Sequence, residues 1–237
     1  MTRVGIAVAL RAEASSLVRR RVRTGAVTPV ASGALLAVSG MGPARTLSSG
    51  RMLLEAGASA LLSWGSASAL DPTLRPGSAV LPEEVIGSDG RRITVSGDWH
   101  ERVRRRLGAE LPTHISPLTE APTILATREQ KLDLARERGA TAADMESAAL
   151  ARLAQRACVP FLAVRAIADG CDMRLPAWLV ETLDEFGRPR AAGFCSGLLR
   201  HPADVGALTR LARGFHAATV TLSLIHARAG SELFSPA

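Results

Sequence analysis

Three acids in this 237-residue chain stand where short apolar runs give way to polar residues. They are Glu13 in Arg11-Ala12-Glu13, Glu146 in Met145-Glu146-Ser147, and Asp169 at the end of the run from Phe161. Gathered around one ligand, carboxyls can give and take protons and balance developing positive charge. Taken singly, each has an ordinary explanation. Glu13 and Glu146 fall in the first turn of a predicted helix, where the macrodipole favours a carboxylate in any protein, and Asp169 before Gly170 suits a turn. Ser66, in Trp64-Gly65-Ser66, could serve only as a helix cap. The segment Gly40-Met41-Gly42-Pro43-Ala44-Arg45 could merely turn a strand into a helix with Pro43 at its first position. It also suits an anion, because the amides of a helix start and the Arg45 guanidinium would point at the same spot. As a GxGxxG fingerprint it fails at the third glycine, where Arg45 stands, so a nicotinamide cofactor is a poor competitor; a P-loop is excluded, since no GxxxxGK[ST] occurs.

The elements that would bring these residues together follow from the hydrophobic pattern. Apolar runs rich in Val, Ile, Leu and Ala alternate with amphipathic stretches, as strands covered on both faces by helices do. Strands are predicted over Val4–Ala9, Leu35–Ser39, Ala60–Gly65, Ser78–Leu81, Thr123–Ala126 and Phe161–Ala168, with a strand-like stretch at Thr141–Asp144. Helices are predicted over Ala12–Arg20, Pro43–Ala56, Trp99–Leu107, Arg128–Arg138, Met145–Ala157, Ala191–Leu199 and Ala203–Ala227. Asp89-Gly90 is a hairpin signal. The implied fold class is α/β: one domain over residues 1–237, a three-layer sandwich with a mostly parallel central sheet between helices. Ligands of such sheets bind at the carboxyl ends of the strands. Glu13, the Gly40–Arg45 loop, Ser66, Glu146 and Asp169 would then open onto one edge, and three acids converging there need a ligand to justify them.

Composition narrows the classes further. With 47% apolar residues the chain can bury a large core. The net charge of +7 comes almost wholly from arginine, Lys131 being the only lysine. Because that charge is scattered, aromatics are 3% and tyrosine is lacking, no stacking surface for nucleic acid is expected. Cys158, Cys171 and Cys195 are odd in number and widely spaced, without a CxxC or Cys/His cluster. No metal and a reducing, cytoplasmic setting are expected. The apolar run behind Arg3 is too short and too soon charged for a signal peptide, and no stretch has the length of a membrane span.

The segments Gly5–Glu13 (GIAVALRAE), Val38–Arg45 (VSGMGPAR), Leu62–Leu70 (LSWGSASAL), Pro76–Pro82 (PGSAVLP), Ala143–Ala149 (ADMESAA) and Val159–Asp169 (VPFLAVRAIAD) resemble, in order, core segments of the 5′-methylthioadenosine/S-adenosylhomocysteine nucleosidase group of the nucleoside phosphorylase superfamily. ADMESAA followed by VPFLAVRAIAD is the most specific pair. Leu175–Pro189 and Leu198–Arg213 resemble the branch associated with hopanoid biosynthesis, thought to release adenine from adenosylhopane. The resemblance implies a purine nucleosidase or phosphorylase that needs no cofactor beyond, in the second case, orthophosphate as co-substrate. It implies roles as well: Glu146 would hold the ribose hydroxyls and balance the cationic sugar, Asp169 would deliver a proton toward purine N7, and Glu13 would activate water. Ser66, Met145 and Glu146 would contact the nucleoside, and Gly40, Gly42, Arg45 and Ser66 would hold phosphate or the attacking water. A small purine nucleoside, lipid-linked in the hopanoid branch, is the implied partner, with a homo-oligomer and peripheral contact with the inner membrane face as further implications.

The chemistry agrees. Breaking an N-glycosidic bond passes through an oxocarbenium-like state, which calls for negative charge near the sugar and a proton for the departing base. A donor acting near neutral pH needs a raised pKa, and the apolar run before Asp169 favours its burial. The chain departs from the group in places. Ser68 and Ala69 stand in a usually more glycine-rich loop, the segment after Leu81 is too short for a long lid over the 5′ side, and Ala126–Lys131, where the purine is expected, names no base-binding residue. A short lid suits a bulky hydrocarbon at the 5′ position. The predicted terminal helix repeats Leu208, Leu211, Phe215 and Val220 with Arg210 and Arg213 among them, a pattern of core packing or of a basic face on anionic lipid. Hydrolysis and phosphorolysis both stay open. A non-catalytic nucleoside or lipid-nucleoside binder and a nicotinamide-dependent enzyme are the alternatives.

Overall fold

The computed structural model describes residues 2–20, 22–30 and 32–236. Its strands are β1 (Val4–Val8), β2 (Val27–Pro29), β3 (Leu35–Val38), β4 (Ala60–Ala69), β5 (Ala79–Val80), β6 (Glu84–Ile86), β7 (Arg92–Thr94), β8 (Thr113–His114), β9 (Leu118–Glu120), β10 (Ala142–Asp144) and β11 (Phe161–Asp169). Its α-helices are α1 (Arg11–Ala14), α2 (Pro43–Glu55), α3 (Gly97–Leu107), α4 (Arg128–Arg138), α5 (Ser147–Arg156), α6 (Ala177–Thr182), α7 (Ala191–Arg200) and α8 (Val205–Ala229).

Strands β3, β1, β4 and β11 lie side by side and parallel. Every residue of β1, β3 and β11 is buried, which is why β1 and β3 read as unbroken apolar runs rather than alternating ones, and β11 as one interrupted only by Arg165 before its terminal Asp169. Helices α2 and α5 pack on each other and on this centre, while α8 packs on β11 and β4. Helix α8 comes very close: a Cβ at Gly214 would fall 2.0 Å from the carbonyl oxygen of Ala168. Only glycine lets the helix press against the strand end that carries Asp169. The buried face of α8 is Gly214, Ala218, Thr221, Leu222, Ile225 and Ala229, so the terminal helix is a core-packing one. No helix among the described residues is long and apolar enough to cross a membrane.

Several elements differ from the expectations. The sheet is mostly parallel, as expected, but carries antiparallel pairings of β10 with β4, β5 with β11, and β2 with β3. Strand β4 runs on past Gly65 to Ala69, and β10 pairs with its extension at Ser68 and Ala69. Glu146 therefore follows a strand that runs parallel to β9 but against β4. The helix expected over Ala12–Arg20 stops at Ala14, where the hydroxyls of Ser15 and Ser16 turn back to the carbonyls of Ala12 and Glu13, each at 2.6 Å. Thr123–Ala126 forms no strand. Ala126 instead donates its amide to Gln130 Oε1 at 2.8 Å, within the capping box that starts α4. The Asp89-Gly90 turn does join a hairpin, β6 with β7.

Candidate active site

Glu13 is held from three sides. Leu10 donates its amide to Oε2 at 2.9 Å, and Ser66 donates both its amide (2.8 Å) and its hydroxyl (2.7 Å) to Oε1. A Cβ at Gly65 would lie 2.9 Å from Oε1, so the carboxylate lies flat on strand β4 where no side chain stands in its way. Burial pushes the Glu13 carboxyl above its ordinary value, against the hydrogen bonds from Ser66 and Leu10.

Glu146 stands at the N-cap position of α5 but makes no capping bond to it; its side chain reaches across to the start of α2. Gly42 donates its amide to Oε1 at 2.8 Å and Met145 donates to Oε2 at 3.1 Å. Burial first, and the neighbouring Asp144 charge second, push this carboxyl up to about 7. Beneath it lies a buried network that the sequence reading missed. Arg165 of β11 donates to Asp144 Oδ2 through Nε at 2.8 Å, to Ser63 at 2.6 Å and to Ser147 at 2.8 Å. The signal for it was present: an arginine inside an otherwise apolar, fully buried strand must have a buried partner. Its charge opposes the rise of both Glu13 and Glu146.

Asp169 sits at the end of β11, and its side chain is only 10% exposed. It is buried, as the apolar run before it implies, and it is also paired. Ser68 donates to Oδ1 at 2.8 Å, and the ammonium of Lys131, wholly buried, donates to Oδ2 at 2.5 Å.

The three acids line a single cavity of about 690 Å³, together with Ser66 and Met145. Its polar floor is the sheet edge. Its other walls are mostly apolar, with Ile124 and Leu125 from the segment expected as a strand, Leu179, Val180 and Leu183 around α6, Phe186 and Phe194, and Leu208, Leu211 and Phe215 of α8; Arg11, Thr123 and Arg188 are the polar exceptions. A niche of about 10 Å³, bounded by Glu13, Ser39, Thr46, Ser66, Glu146 and Arg165, opens beside the acids. That is the space of about one water molecule.

Of the Gly40–Arg45 loop, only Met41 lines the cavity. The Gly42 amide is directed at Glu146, a carboxylate of the protein itself, and neither Gly40 nor Gly42 lines the cavity. Gly40 adopts φ +86°, and Arg45 folds across it, a Cβ there falling 2.9 Å from Arg45 Cδ. The guanidinium then meets Glu185 at 2.6 Å on the half-exposed surface, away from the acids. Among the described residues no group of three or more His, Cys, Asp or Glu side chains is placed to hold a metal ion.

The model of the phosphorylase superfamily matches residues 16–200 of the chain. Among solved structures, futalosine hydrolase of Helicobacter pylori strain 26695 is similar over 98% of both chains, with a TM-score of 0.73 at 16% identity. The 5′-methylthioadenosine/S-adenosylhomocysteine nucleosidase of Neisseria meningitidis, in complex with methylthio-immucillin-A, is similar over 97% of this chain and 98% of that one, with a TM-score of 0.71 at 17% identity. The corresponding nucleosidase of Helicobacter pylori with butyl-thio-DADMe-Immucillin-A gives 0.68 at 18% identity, over 95% and 97%. At these identities the likeness is one of fold. No curated protein matches the chain. Glu13 and the whole of α8 lie outside the family match.

Proposed function

Because this chain belongs to the phosphorylase superfamily, we propose that it cleaves the N-glycosidic bond of a purine nucleoside carrying a large apolar 5′ substituent, as in adenosylhopane, and releases adenine. The observation that carries this reading is the meeting of Glu13, Glu146 and Asp169 in one cavity whose remaining walls are mostly apolar. An oxocarbenium-like sugar needs an anion close by, and Glu146, fixed by two amides, supplies it. As the C1′–N9 bond breaks, its electron pair passes to the purine, and Asp169 is the acid that can hand N7 a proton. Glu13 takes the proton of the attacking water, whose oxygen joins C1′.

Two observations favour hydrolysis over phosphorolysis. The niche between Glu13, Ser66 and Glu146 has the size of a water and is too small for orthophosphate. Arg45, the cation nearest the expected anion loop in sequence, is paired with Glu185 instead. The apolar walls support the hydrocarbon substituent, since a cavity of about 690 Å³ lies in the range of sites that bury drug-sized ligands. The test is adenine release from 5′-substituted adenosines with and without orthophosphate. Equal release in both is expected, and an absolute requirement for phosphate would refute hydrolysis.

A further inference from the structure

The chain places arginine at every basic position but one, and that one, Lys131, is fully buried. Its Nζ donates to Asp169 Oδ2 at 2.5 Å, to the Gly170 carbonyl at 2.8 Å and to the Met173 carbonyl at 3.3 Å. An ammonium has three N–H donors, and all three find acceptors within five residues of one strand end. A flat, forked guanidinium cannot converge on a single point in this way. The helix that carries Lys131 is tied to the same segment, because Leu175 donates its amide to the Ala126 carbonyl just before the capping box of α4. Burying a lysine is costly unless it is paired. A strap between α4 and a loop could be made from neutral groups, so a buried charge set against the acid of the base-binding end calls for more than packing.

We propose that Lys131 is the positioning residue for departure of the base, aiming Asp169 and passing it the proton that the purine takes. The inference rests on the function proposed above, and within it on Asp169 as the acid. As the C1′–N9 electron pair moves to the purine, a proton passes from Nζ to the Asp169 carboxyl and from that carboxyl to N7. Lys131 is left a neutral amine, Asp169 a carboxylate and Glu13 protonated by the attacking water; once the base has gone that proton returns through solvent and restores the ammonium. Proton count and charge balance with no other reactant.

The test compares Lys131→Met, Lys131→Arg, Asp169→Asn and the Lys131→Met/Asp169→Asn double variant for adenine release, with folding followed by thermal melting. Lys131→Met is expected to lose ~10²-fold or more in kcat, the scale of a single acid–base role, with KM within a few-fold. Lys131→Arg keeps the charge but holds its proton too firmly to give it up, so it should stay nearly as slow. The double variant should be no slower than Asp169→Asn alone, since groups acting as a unit are not additive. A Lys131→Arg enzyme with more than half the wild-type kcat, or additive losses in the double variant, would overturn the relay. Should Lys131→Met fail to fold, lysine-selective ¹⁵N labelling of the wild type reads this one side chain. Its Nζ resonance is expected to move on adding adenine and to differ in Asp169→Asn; no response to either change also overturns the proposal. A wild type that releases no adenine from any 5′-substituted adenosine fails the proposed function, and the relay with it. An active wild type with an unaffected Lys131→Met fails the relay alone.

Discussion

The two sides of the cavity are built on different principles. On the sheet edge each functional carboxylate is fixed by backbone amides, hydroxyls or a buried cation, with Glu13 and Glu146 taking amides from Leu10, Ser66, Gly42 and Met145. On the opposite side, side chains of α6 to α8 and of residues 121–125 offer apolar surface and little that is directional. Hydrogen-bonded charges specify positions to within tenths of an ångström, whereas apolar contact asks only for bulk and shape. The division suggests chemistry at one wall and recognition of the 5′ substituent at the other, so substitutions on the two sides should separate into effects on kcat and effects on KM.

The largest effects belong to the sheet edge. Glu146→Gln and Asp169→Asn should each lower kcat by ~10²–10⁴ with little change in KM, as steady-state adenine release would show. A rise in KM alone in either variant would erase the distinction between the walls. Next comes Leu211→Ser on α8. Loss of a buried leucine contact, worth about 1.5–3 kcal/mol at full burial, should raise KM for a long-chain 5′-alkyl substrate by roughly tenfold or more and leave kcat and short-chain substrates nearly unchanged.

The smallest effects concern pH. With the Glu146 carboxyl pushed up to about 7, kcat/KM should fall on the acid side of neutrality as the anion is lost. Stability has the opposite trend. Between the ordinary value of 4.5 and about 7 the folded chain retains a proton that the unfolded chain gives up, so this carboxyl makes the fold less stable as pH climbs through that window. Melting temperatures taken from pH 4 to pH 8 should therefore decline less steeply in Glu146→Gln than in the wild type, and parallel curves would show that burial imposes no such cost.

The sheet edge was largely legible in the sequence, because parallel strands buried on both faces write themselves as apolar runs and the acids stand at or just after their ends. Glu13, Ser66, Met145, Glu146 and Asp169 do meet at one cavity. What escaped were partners distant along the chain. Lys131 lies 38 residues before Asp169, on a helix whose capping box gives no hint of what its first turn faces. Arg45 misled for the converse reason. A helix start with a nearby arginine fits an external anion, but here a carboxylate of the chain takes the Gly42 amide and Glu185, 140 residues further on, takes the guanidinium. The apolar wall was the least readable part. Thr123–Ala126 has the composition of a strand yet has no neighbour to pair with, and Leu208, Leu211 and Phe215 repeat at a spacing that serves a core and a cavity equally.

The division of labour is tested most directly by adenine release from a series of 5′-alkylthioadenosines of increasing chain length. Each methylene buried against α6 to α8 should raise kcat/KM by up to about fourfold, from about 0.8 kcal/mol per group, through KM and with kcat nearly constant, until the wall is covered. A specificity constant that stays flat or falls beyond the methyl compound would contradict the assignment of the apolar wall to the substrate.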